Sequence, residues 1–198
     1  IGYLRKREAN VIGQHGLKIQ VQAKNADGTK KEALNRKIEE EFKAWSLKEN
    51  CDVTGQSSLR DLAALALRRR DVDGEFLMRY VYDPSSEYGL KLQMIDVDWL
   101  DEDFNDPRCA NGNRIIMSVE LDNYDRPVAY WLTQPRWSNV TIPNTPLIPN
   151  YKDRLRVPAE MMCHRFLKQR VSQARGIPTS HGAMTTMNQL DGFDEAEL

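Results

Sequence analysis

Residues 114–133 read Arg-Ile-Ile-Met-Ser-Val-Glu-Leu-Asp-Asn-Tyr-Asp-Arg-Pro-Val-Ala-Tyr-Trp-Leu-Thr. Two strand-like apolar runs, 114–121 and 127–133, lie on either side of the turn segment 122–125. Apolar, β-branched and aromatic residues separated by a short Asn/Asp segment are typical of a β-hairpin. The sequence therefore predicts an antiparallel pair of strands in this stretch.

Further strands are predicted on both sides of this hairpin. Upstream, residues 75–82 and 90–95 are rich in apolar and aromatic side chains, and the turn-forming segment 83–85 lies between them. Downstream, residues 161–167 have the pattern of a short buried strand. Runs of this length that are bounded by turn residues favour strands.

Two helices are predicted ahead of these strands. Thr29 and Glu32 have the spacing of a capping box, in which each side chain accepts a hydrogen bond from the other residue's backbone amide. An apolar stripe then recurs at helical spacing and comprises Leu34, Ile38, Phe42 and Trp45. The second helix is predicted to begin at Ser57 or Ser58 and to end at Arg70. Its apolar face comprises Leu59, Leu62, Leu65 and Ala66.

The order of these elements favours an α+β fold, with helices packed on antiparallel strands, over a doubly wound sheet. The pattern predicts that a turn at residues 10–16 precedes a first strand, because Leu17, Ile19 and Val21 alternate with polar residues. A last helix is predicted to begin at Thr179 or Ser180. Its apolar face would comprise Met184, Met187 and Leu190.

A proline-rich arm is predicted at residues 134–158, which contain five prolines. Proline has no amide donor, so this stretch is a poor candidate for a central strand or a helix. Its hydrophobic residues are too many for a free linker, and two alternatives stay open: a loop packed on its own domain, or an arm lying on another subunit. In the second case the contact residues would be Trp137, Ile142, Leu147 and Ile148.

Composition points to a soluble globular protein. The chain has 198 residues, of which 40% are hydrophobic and 29% charged, and its formal net charge is −1. This length suits one good-sized domain, or one domain and the beginning of a second. No apolar run approaches the roughly 20 residues that a membrane helix needs, and the start lacks the features of a signal peptide. Because the chain begins at Ile1, we expect it to be a fragment of a longer protein.

Charge is distributed unevenly along the chain. Residues 1–37 and 152–175 are basic blocks, whereas residues 96–106 carry six acidic side chains. Blocks of opposite sign can be matching surfaces between neighbouring copies in an oligomer, or simply solvated faces. An alternative hypothesis is a DNA-binding adaptor that uses blocks 1–37 and 152–175, because phosphates attract Lys and Arg without sequence demands.

The sequence lacks the usual catalytic and cofactor motifs. Neither a phosphate-binding GxxxxGK[ST] or GxGxxG loop nor a GxSxG elbow occurs. The three cysteines form no CxxC pair, and adjacent Cys163 and His164 would point to opposite faces of a strand. We therefore predict a protein that is not an enzyme, with no catalytic, metal-binding or cofactor-binding residues.

An alternative hypothesis, in which the protein is an enzyme, rests on Asp96 and Asp98. At a strand end their carboxylates would share one face and bind a proton or a divalent ion, as in a metal-assisted hydrolase. The acidic run has neither the spacing nor the glycine of an EF-hand loop, and runs of charged residues are usually exposed to solvent. An exposed acidic edge is therefore the favoured interpretation.

The order of short motifs along nearly the whole chain resembles that of the lambda-type phage portal proteins. The similar segments near the start are Asn10-Val-Ile-Gly13, Leu17-Lys-Ile-Gln20, Phe42-Lys-Ala-Trp45 and Cys51-Asp52. Those in the middle are Asp73-Gly-Glu75-Phe-Leu-Met-Arg79, Leu92-Gln-Met-Ile-Asp96, Val119-Glu-Leu-Asp122 and Arg126-Pro-Val-Ala-Tyr130. The closing signature comprises Val157-Pro-Ala159, His164 and Gln173-Ala-Arg-Gly-Ile-Pro178.

The sequence departs from this family pattern in two respects. Ser118 and Asp125 stand where glycines are expected in the hairpin, a change that bears on a bulge or on the turn type. The family is also longer, since its channel-lining helices, clip and crown would follow Leu198.

The resemblance implies a structural subunit of a ring, commonly of twelve copies, at one vertex of a capsid. Double-stranded DNA would pass through the channel without sequence-specific contacts. The implied partners are further copies of the chain, the terminase large subunit of the packaging motor, capsid proteins and later the neck or tail. The implied location is the virion, with assembly in the host cytoplasm.

In this interpretation residues 1–178 form the wing-like domain, and residues 179–198 begin a helix that leads toward the stem. The junction between the two would be formed by Gln173, Arg175, Gly176 and Pro178. Glycine would allow a backbone bend, and arginine would bind carboxylate or carbonyl partners.

Overall fold

The computed structural model describes residues 2–133 and 154–182. These residues divide into two compact units. The first unit comprises residues 2–68 and 80–94, and the second comprises residues 69–79 together with the described residues from 95 onward.

Helices and antiparallel strands make up the described chain, so the predicted α+β class is confirmed. The α-helices are α1 Gly2–Val11, α2 Glu32–Trp45, α3 Lys48–Cys51 and α4 Leu59–Val72. The strands are β1 Glu75–Tyr82, β2 Leu90–Ile95, β3 Arg114–Ile116, β4 Val119–Leu121, β5 Pro127–Thr133, β6 Arg154–Pro158 and β7 Met162–Phe166. Short 3-10 turns occur at Val97–Trp99 and Ala159–Met161.

The strands form two sheets, with the orders β2-β1-β7 and β3-β4-β5-β6. In the first sheet, β1 and β7 are antiparallel, and Glu75 lies opposite Phe166. In the second sheet, β4 and β5 form the predicted hairpin, with a register shift at Glu120/Leu121. The core of the second unit comprises Leu77, Ile95, Leu100, Val119, Leu121, Tyr130, Leu132, Val157, Met162 and Ala174.

In the first unit, Cys51 and Asp52 hold the connection between α3 and α4. The thiol of Cys51 is fully buried and lies 3.6 Å from the carbonyl oxygens of Ser46 and Ser57. The carboxylate of buried Asp52 accepts hydrogen bonds from the backbone amides of Thr54, Gln56 and Ser57. Backbone amides in a loop have no carbonyl acceptor from a helix or a strand, and the carboxylate of Asp52 supplies an acceptor instead.

The predicted turn is present at residues 12–15, but the strand predicted to follow it is wrong. The chain begins with α1, and Leu17 to Val21 pair with no strand among the described residues. Side chains of α2 take the place of a neighbouring strand, because the amide of Val21 donates to Glu39 and the amide of Ala23 donates to Asn35. Alternation of polar and apolar residues predicted a strand here, but it could not indicate which groups bond to the backbone.

The predicted capping box of α2 is also wrong, although the helix itself is confirmed. The helix begins at Glu32, and Lys31 precedes it without a side-chain cap. The hydroxyl of Thr29 instead donates to Asp27 at 2.6 Å, which closes the turn before the helix. The capping arrangement occurs at α4, where Ser58 and Asp61 exchange hydrogen bonds. That position agrees with the predicted start of the second helix.

The predicted strand at 114–121 is interrupted. Met117 and Ser118 have φ angles of 47° and 68°, so β3 ends at Ile116 and β4 begins at Val119. Asp125, in the turn between β4 and β5, has a φ of 62°. Both positions at which glycine was expected, Ser118 and Asp125, therefore have the left-handed backbone that glycine adopts without strain.

The predicted loop at 134–158 is wrong for its last five residues, which form β6 and pair with β5. Pro158 is tolerated because it lies at the end of a strand at the sheet edge. The predicted contact residues Trp137, Ile142, Leu147 and Ile148 lie outside the described residues. Met184, Met187 and Leu190 also lie outside them, and helical backbone is described only at residues 181–182 of the last helix. A search of the described helices for a bilayer-spanning segment found none.

Candidate functional site

Glu75, the first residue of β1, is the centre of a buried polar cluster in the second unit. Its side chain is 2% exposed. Oε2 accepts hydrogen bonds from Nε2 of His164 at 2.8 Å and from the backbone amide of Gly176 at 2.6 Å. Oε1 accepts from Nε of Arg175 at 2.5 Å. We refer to Glu75, His164, Arg175 and Gly176 as the Glu75 cluster.

The Glu75 cluster keeps its carboxylate ionised. Burial by itself raises the pKa of Glu75. The hydrogen bond from His164 and the charge of Arg175 more than offset this effect, and the pKa lies below its ordinary value. Since a buried charge is costly unless it is paired and hydrogen-bonded, the three donors are what allow a carboxylate at this position.

Arg175 connects the cluster to two other segments of the second unit. Nη1 donates to the carbonyl oxygens of Leu100 at 3.1 Å and Met117 at 3.3 Å. Nη2 lies 3.5 Å from the carbonyl oxygen of Val97. A guanidinium offers several donors in a rigid plane, and lysine would not reach these partners together. Arg175 therefore fixes the chain before Pro178 against β1 and against the interrupted strand.

Gln173 organises the loop that leads into the cluster. Its Oε1 accepts from the amides of Gln169 at 2.7 Å and Arg170 at 3.2 Å, and its Nε2 donates to the carbonyl of Arg175 at 2.7 Å. One amide side chain thus ties three backbone groups of the same loop. The backbone that presents Arg175 is held in place by this residue.

Gly74 and Gly176 pack against each other without room for side chains. Gly74 has a φ of 89°, and a Cβ added to it would lie 2.5 Å from the nitrogen of Pro178. A Cβ added to Gly176 would lie 2.6 Å from the carbonyl carbon of Gly74 and 2.7 Å from Cβ of Glu75. Contacts of this length do not occur between real side chains and backbone, so both positions require glycine.

His164 is enclosed by aromatic rings. Its side chain is 2% exposed, and its ring packs edge-on against Tyr130 at 5.4 Å and at a tilt against Phe166 at 4.9 Å. Burial raises the pKa of the Tyr130 hydroxyl to about 12. A ring so enclosed cannot reach a substrate in solution, and its role is to donate to Glu75.

A second buried carboxylate, Glu120 on β4, holds the other sheet. Its side chain is 1% exposed and accepts from Arg156 through Nε at 2.8 Å and Nη2 at 3.0 Å. Asn111, Asn113 and Trp131 donate to it at 2.8, 2.8 and 3.1 Å. The hydrogen bonds from Arg156 are the largest influence and lower the pKa of Glu120 to about 2. We refer to these five residues as the Glu120 cluster.

Three arginines of the basic block 152–175 are paired with carboxylates of the same unit. Arg154 bonds Asp101 at 2.6 Å, Arg156 bonds Glu120 and Arg175 bonds Glu75. An arginine that is hydrogen-bonded to a carboxylate is neutralised locally and is less available to phosphates. The block is therefore less basic at the surface than its sequence indicated.

Asp96 and Asp98 lie at the start of a 3-10 turn and not on a strand. Oδ1 of Asp96 accepts from the backbone amide of Asp98 at 3.2 Å and caps the turn Val97–Trp99. Over the described ranges, no group of three or more His, Cys, Asp and Glu residues is arranged to hold a metal ion. The pair is a local capping arrangement.

The structure brings Gln173, Arg175, Gly176 and Pro178 together with Gly74, Glu75 and His164. The first four were predicted as the junction, whereas Glu75 was quoted only as part of a motif and His164 was also set aside as a partner of Cys163. Neither Glu75 nor Glu120 was predicted as the centre of a cluster. A signal was present for Glu120, because it is a charged residue inside an otherwise apolar strand. Glu75 is the first residue of a strand that also contains Arg79, so its signal was weaker.

Comparison with known proteins gives two matches. A family model described as "Phage portal protein, lambda family" matches residues 1–198. A protein of Halomonas phage phiHAP-1 named "Probable portal protein" is 34% identical over 196 residues. That alignment covers 99% of this chain but 37% of the relative, so the chain spans little more than a third of the relative's length.

Proposed function

Since this chain belongs to the lambda family of phage portal proteins, we propose that it forms the wing-like part of a subunit that assembles with copies of itself into a ring at one capsid vertex. The family is structural and not enzymatic, which overturns the alternative of a hydrolase that uses Asp96 and Asp98. The observation that carries the proposal is the family match over the full 198 residues.

The two buried clusters support a structural role. Each places a carboxylate of a strand against an arginine distant in sequence, 100 positions away for Glu75 and 36 for Glu120. Such pairs fix which segments meet more than they add net stability. A subunit that must fit identically against its neighbours benefits from one rigid arrangement, since a closed ring repeats the same contact at every interface.

We assign Gln173, Arg175, Gly176 and Pro178 to the junction between wing and stem. The Glu75 cluster anchors the chain immediately before residues 179–182, of which residues 181–182 are helical. The direction in which that helix leaves is then set by β1 and β7 through Glu75 and His164. In the assembled subunit this anchor would fix the channel-lining part in position relative to the wing.

The finer features of the proposal concern the whole particle. The ring would have about twelve copies, following the family resemblance, and double-stranded DNA would pass through its channel. The packaging motor with its terminase large subunit would dock during filling in the host cytoplasm, and neck or tail proteins would bind later. The ring would remain in the virion.

The test is the mass and symmetry of the full-length protein that contains this chain. Light scattering and particle imaging under assembly conditions should show closed rings with a uniform number of copies. Monomers alone, in a sample whose unfolding is cooperative, would contradict the ring. An Arg170→Ala variant should assemble like the unmodified protein, because Arg170 is exposed. Arg175→Ala should give fewer or irregular rings.

The alternative of a DNA-binding adaptor is not favoured by the contacts of block 152–175. Arg154, Arg156 and Arg175 already bond carboxylates. The adaptor hypothesis predicts DNA binding that weakens steeply between low and high salt, by counterion release from phosphate contacts. Affinity for DNA that is absent at low salt, or that stays flat with salt, would exclude it.

A further inference from the structure

Asn111 and Gly112 form an exposed turn beside the Glu120 cluster. The amide of Gly112 donates to the carbonyl of Cys109 at 2.9 Å, and the amide of Cys109 donates to the carbonyl of Asn113 at 2.8 Å. Gly112 has a φ of 84°, and a Cβ added there would meet no atom within 4 Å. Asn111 is the one asparagine of the 198-residue sequence that is followed by glycine.

We propose that Asn111 is a site of spontaneous deamidation in the folded protein, which converts a neutral donor of the Glu120 cluster into a carboxylate. The backbone nitrogen of Gly112 loses its proton to solvent base and attacks Cγ of Asn111. A new C–N bond closes a five-membered succinimide, and Nδ2 leaves as ammonia. Water then opens the ring at either carbonyl to give aspartate or isoaspartate. The net change is the exchange of NH₂ for OH at the cost of one water molecule.

The geometry favours attack at this position. Gly112 has no side chain to obstruct the approach of its nitrogen, and the space around its Cα is open. The amide of Asn113 donates to Oδ1 of Asn111 at 3.1 Å. A donor aimed at this oxygen polarises the carbonyl and stabilises the negative charge that develops on it during attack.

Two hydrogen bonds must open before the reaction. They are the bond from Gly112 to Cys109 and the bond from Nδ2 of Asn111 to Oε1 of Glu120 at 2.8 Å. The first lies within an exposed turn, and the second joins exposed Asn111 to buried Glu120. Exposed turns open locally at a small fraction of the free energy of global unfolding. The reaction is therefore open to the native protein and does not wait for unfolding.

The product changes the Glu120 cluster. An oxygen of the new carboxylate would replace Nδ2, so that two like charges face each other where a hydrogen bond had been. Like charges at this distance disfavour ionisation of both groups. Glu120 keeps its bonds from Asn113, Trp131 and Arg156. Deamidation would thus loosen the turn from β4 and add one negative charge to the surface, independently of ring assembly.

Asn113 is a matched internal control. Its Nδ2 also donates to Oε1 of Glu120 at 2.8 Å, but Arg114 follows it and begins β3. The side chain of Arg114 obstructs the approach of its own backbone nitrogen. Trypsin cleavage after Arg108 and Arg114 would give one peptide that contains both asparagines, Cys109–Arg114. Fragmentation of this peptide assigns the mass change to one residue or the other.

The experiment incubates the intact chain at mildly alkaline pH and follows this peptide by mass spectrometry, natively and in urea. Native Asn111 should react at least about ten times faster than native Asn113, which corresponds to about 1.4 kcal/mol in activation free energy. Equal rates at the two asparagines would overturn the proposal, and so would reaction of Asn111 in urea alone. Aged protein should melt at a lower temperature than fresh protein, whereas an aged Asn111→Gln variant should show no such loss, because glutamine closes this ring far less readily. Equal losses of melting temperature in the two proteins would show that deamidation of Asn111 does not loosen the turn from β4.

Discussion

Nε of Arg175 donates to Oε1 of Glu75 at 2.5 Å although 100 positions separate the two residues. The pair is buried, and the exposed fractions of the two side chains are 9% and 2%. It joins the start of β1 to the segment that precedes Pro178, and it brings together the Gly-Glu motif and the closing signature. Two sequence motifs that look independent are therefore two halves of one contact.

Arg175→Ala should destabilise the chain by about 3–5 kcal/mol, because removal of one partner leaves the Glu75 carboxylate buried without its charge partner. Urea unfolding followed by circular dichroism measures the change. Arg170→Ala, at an exposed position of the same loop, is the control and should change stability by less than about 0.5 kcal/mol. Equal effects of the two substitutions would show that the buried pair is not special.

Gly176→Ala should cost about 3 kcal/mol or more, because the new methyl group overlaps backbone atoms of Gly74 that cannot move independently of β1. Gly182→Ala is the matched control, since a Cβ there meets no atom within 4 Å. Thermal melting of the three proteins gives the comparison. A Gly176→Ala variant that melts with the unmodified chain would mean that the two glycine segments are farther apart in solution.

Patterns within a few residues were enough to predict most of the elements. The bounds 75–82 and 90–95 match β1 and β2, and α4 begins at Leu59, directly after the predicted start at Ser57 or Ser58. These elements depend on periodicity and on local turn chemistry, both of which lie in the sequence itself. Contacts between segments that are distant in sequence do not follow from such local patterns.

Two errors in prediction share that cause, and one partly specified prediction shows the same limit. The amides of Val21 and Ala23 donate to Glu39 and Asn35 of α2, which alternation alone could not indicate. Met117 and Ser118 break one apolar run into two strands through a left-handed backbone, although neither residue type favours it. In the Glu75 cluster, Arg175 was predicted to have carboxylate or carbonyl partners, but only the fold identifies Glu75, Leu100 and Met117.

The left-handed backbone at Asp125 predicts a preference for glycine. Asp125→Gly should be more stable than Asp125→Ala by about 1 kcal/mol, because both lose the carboxylate that pairs with Arg114 and only alanine keeps the strain of a positive φ. Asn123 lies in the same turn and is not among the residues with positive φ. At this position the alanine variant should be as stable as the glycine variant, or more stable. Thermal melts of the four variants decide between these outcomes, and alanine as the better residue at 125 would argue against the turn geometry.

Glu120 should make stability depend on pH in the acid range. Its folded pKa of about 2 lies below the ordinary value of 4.5, so its contribution is fully present above pH 4.5 and is lost as the pH falls toward 2. A shift of this size corresponds to about 3 kcal/mol. The free energy of unfolding of Glu120→Gln, measured by urea titration from pH 6 to about pH 2, should fall less steeply than that of the unmodified chain. Glu102→Gln is the control, because Glu102 is exposed, and its curve should follow the unmodified one. If the curves for the Glu120→Gln variant and the unmodified chain run parallel, the pKa of Glu120 is not lowered in the folded state by its donors Arg156, Asn111, Asn113 and Trp131.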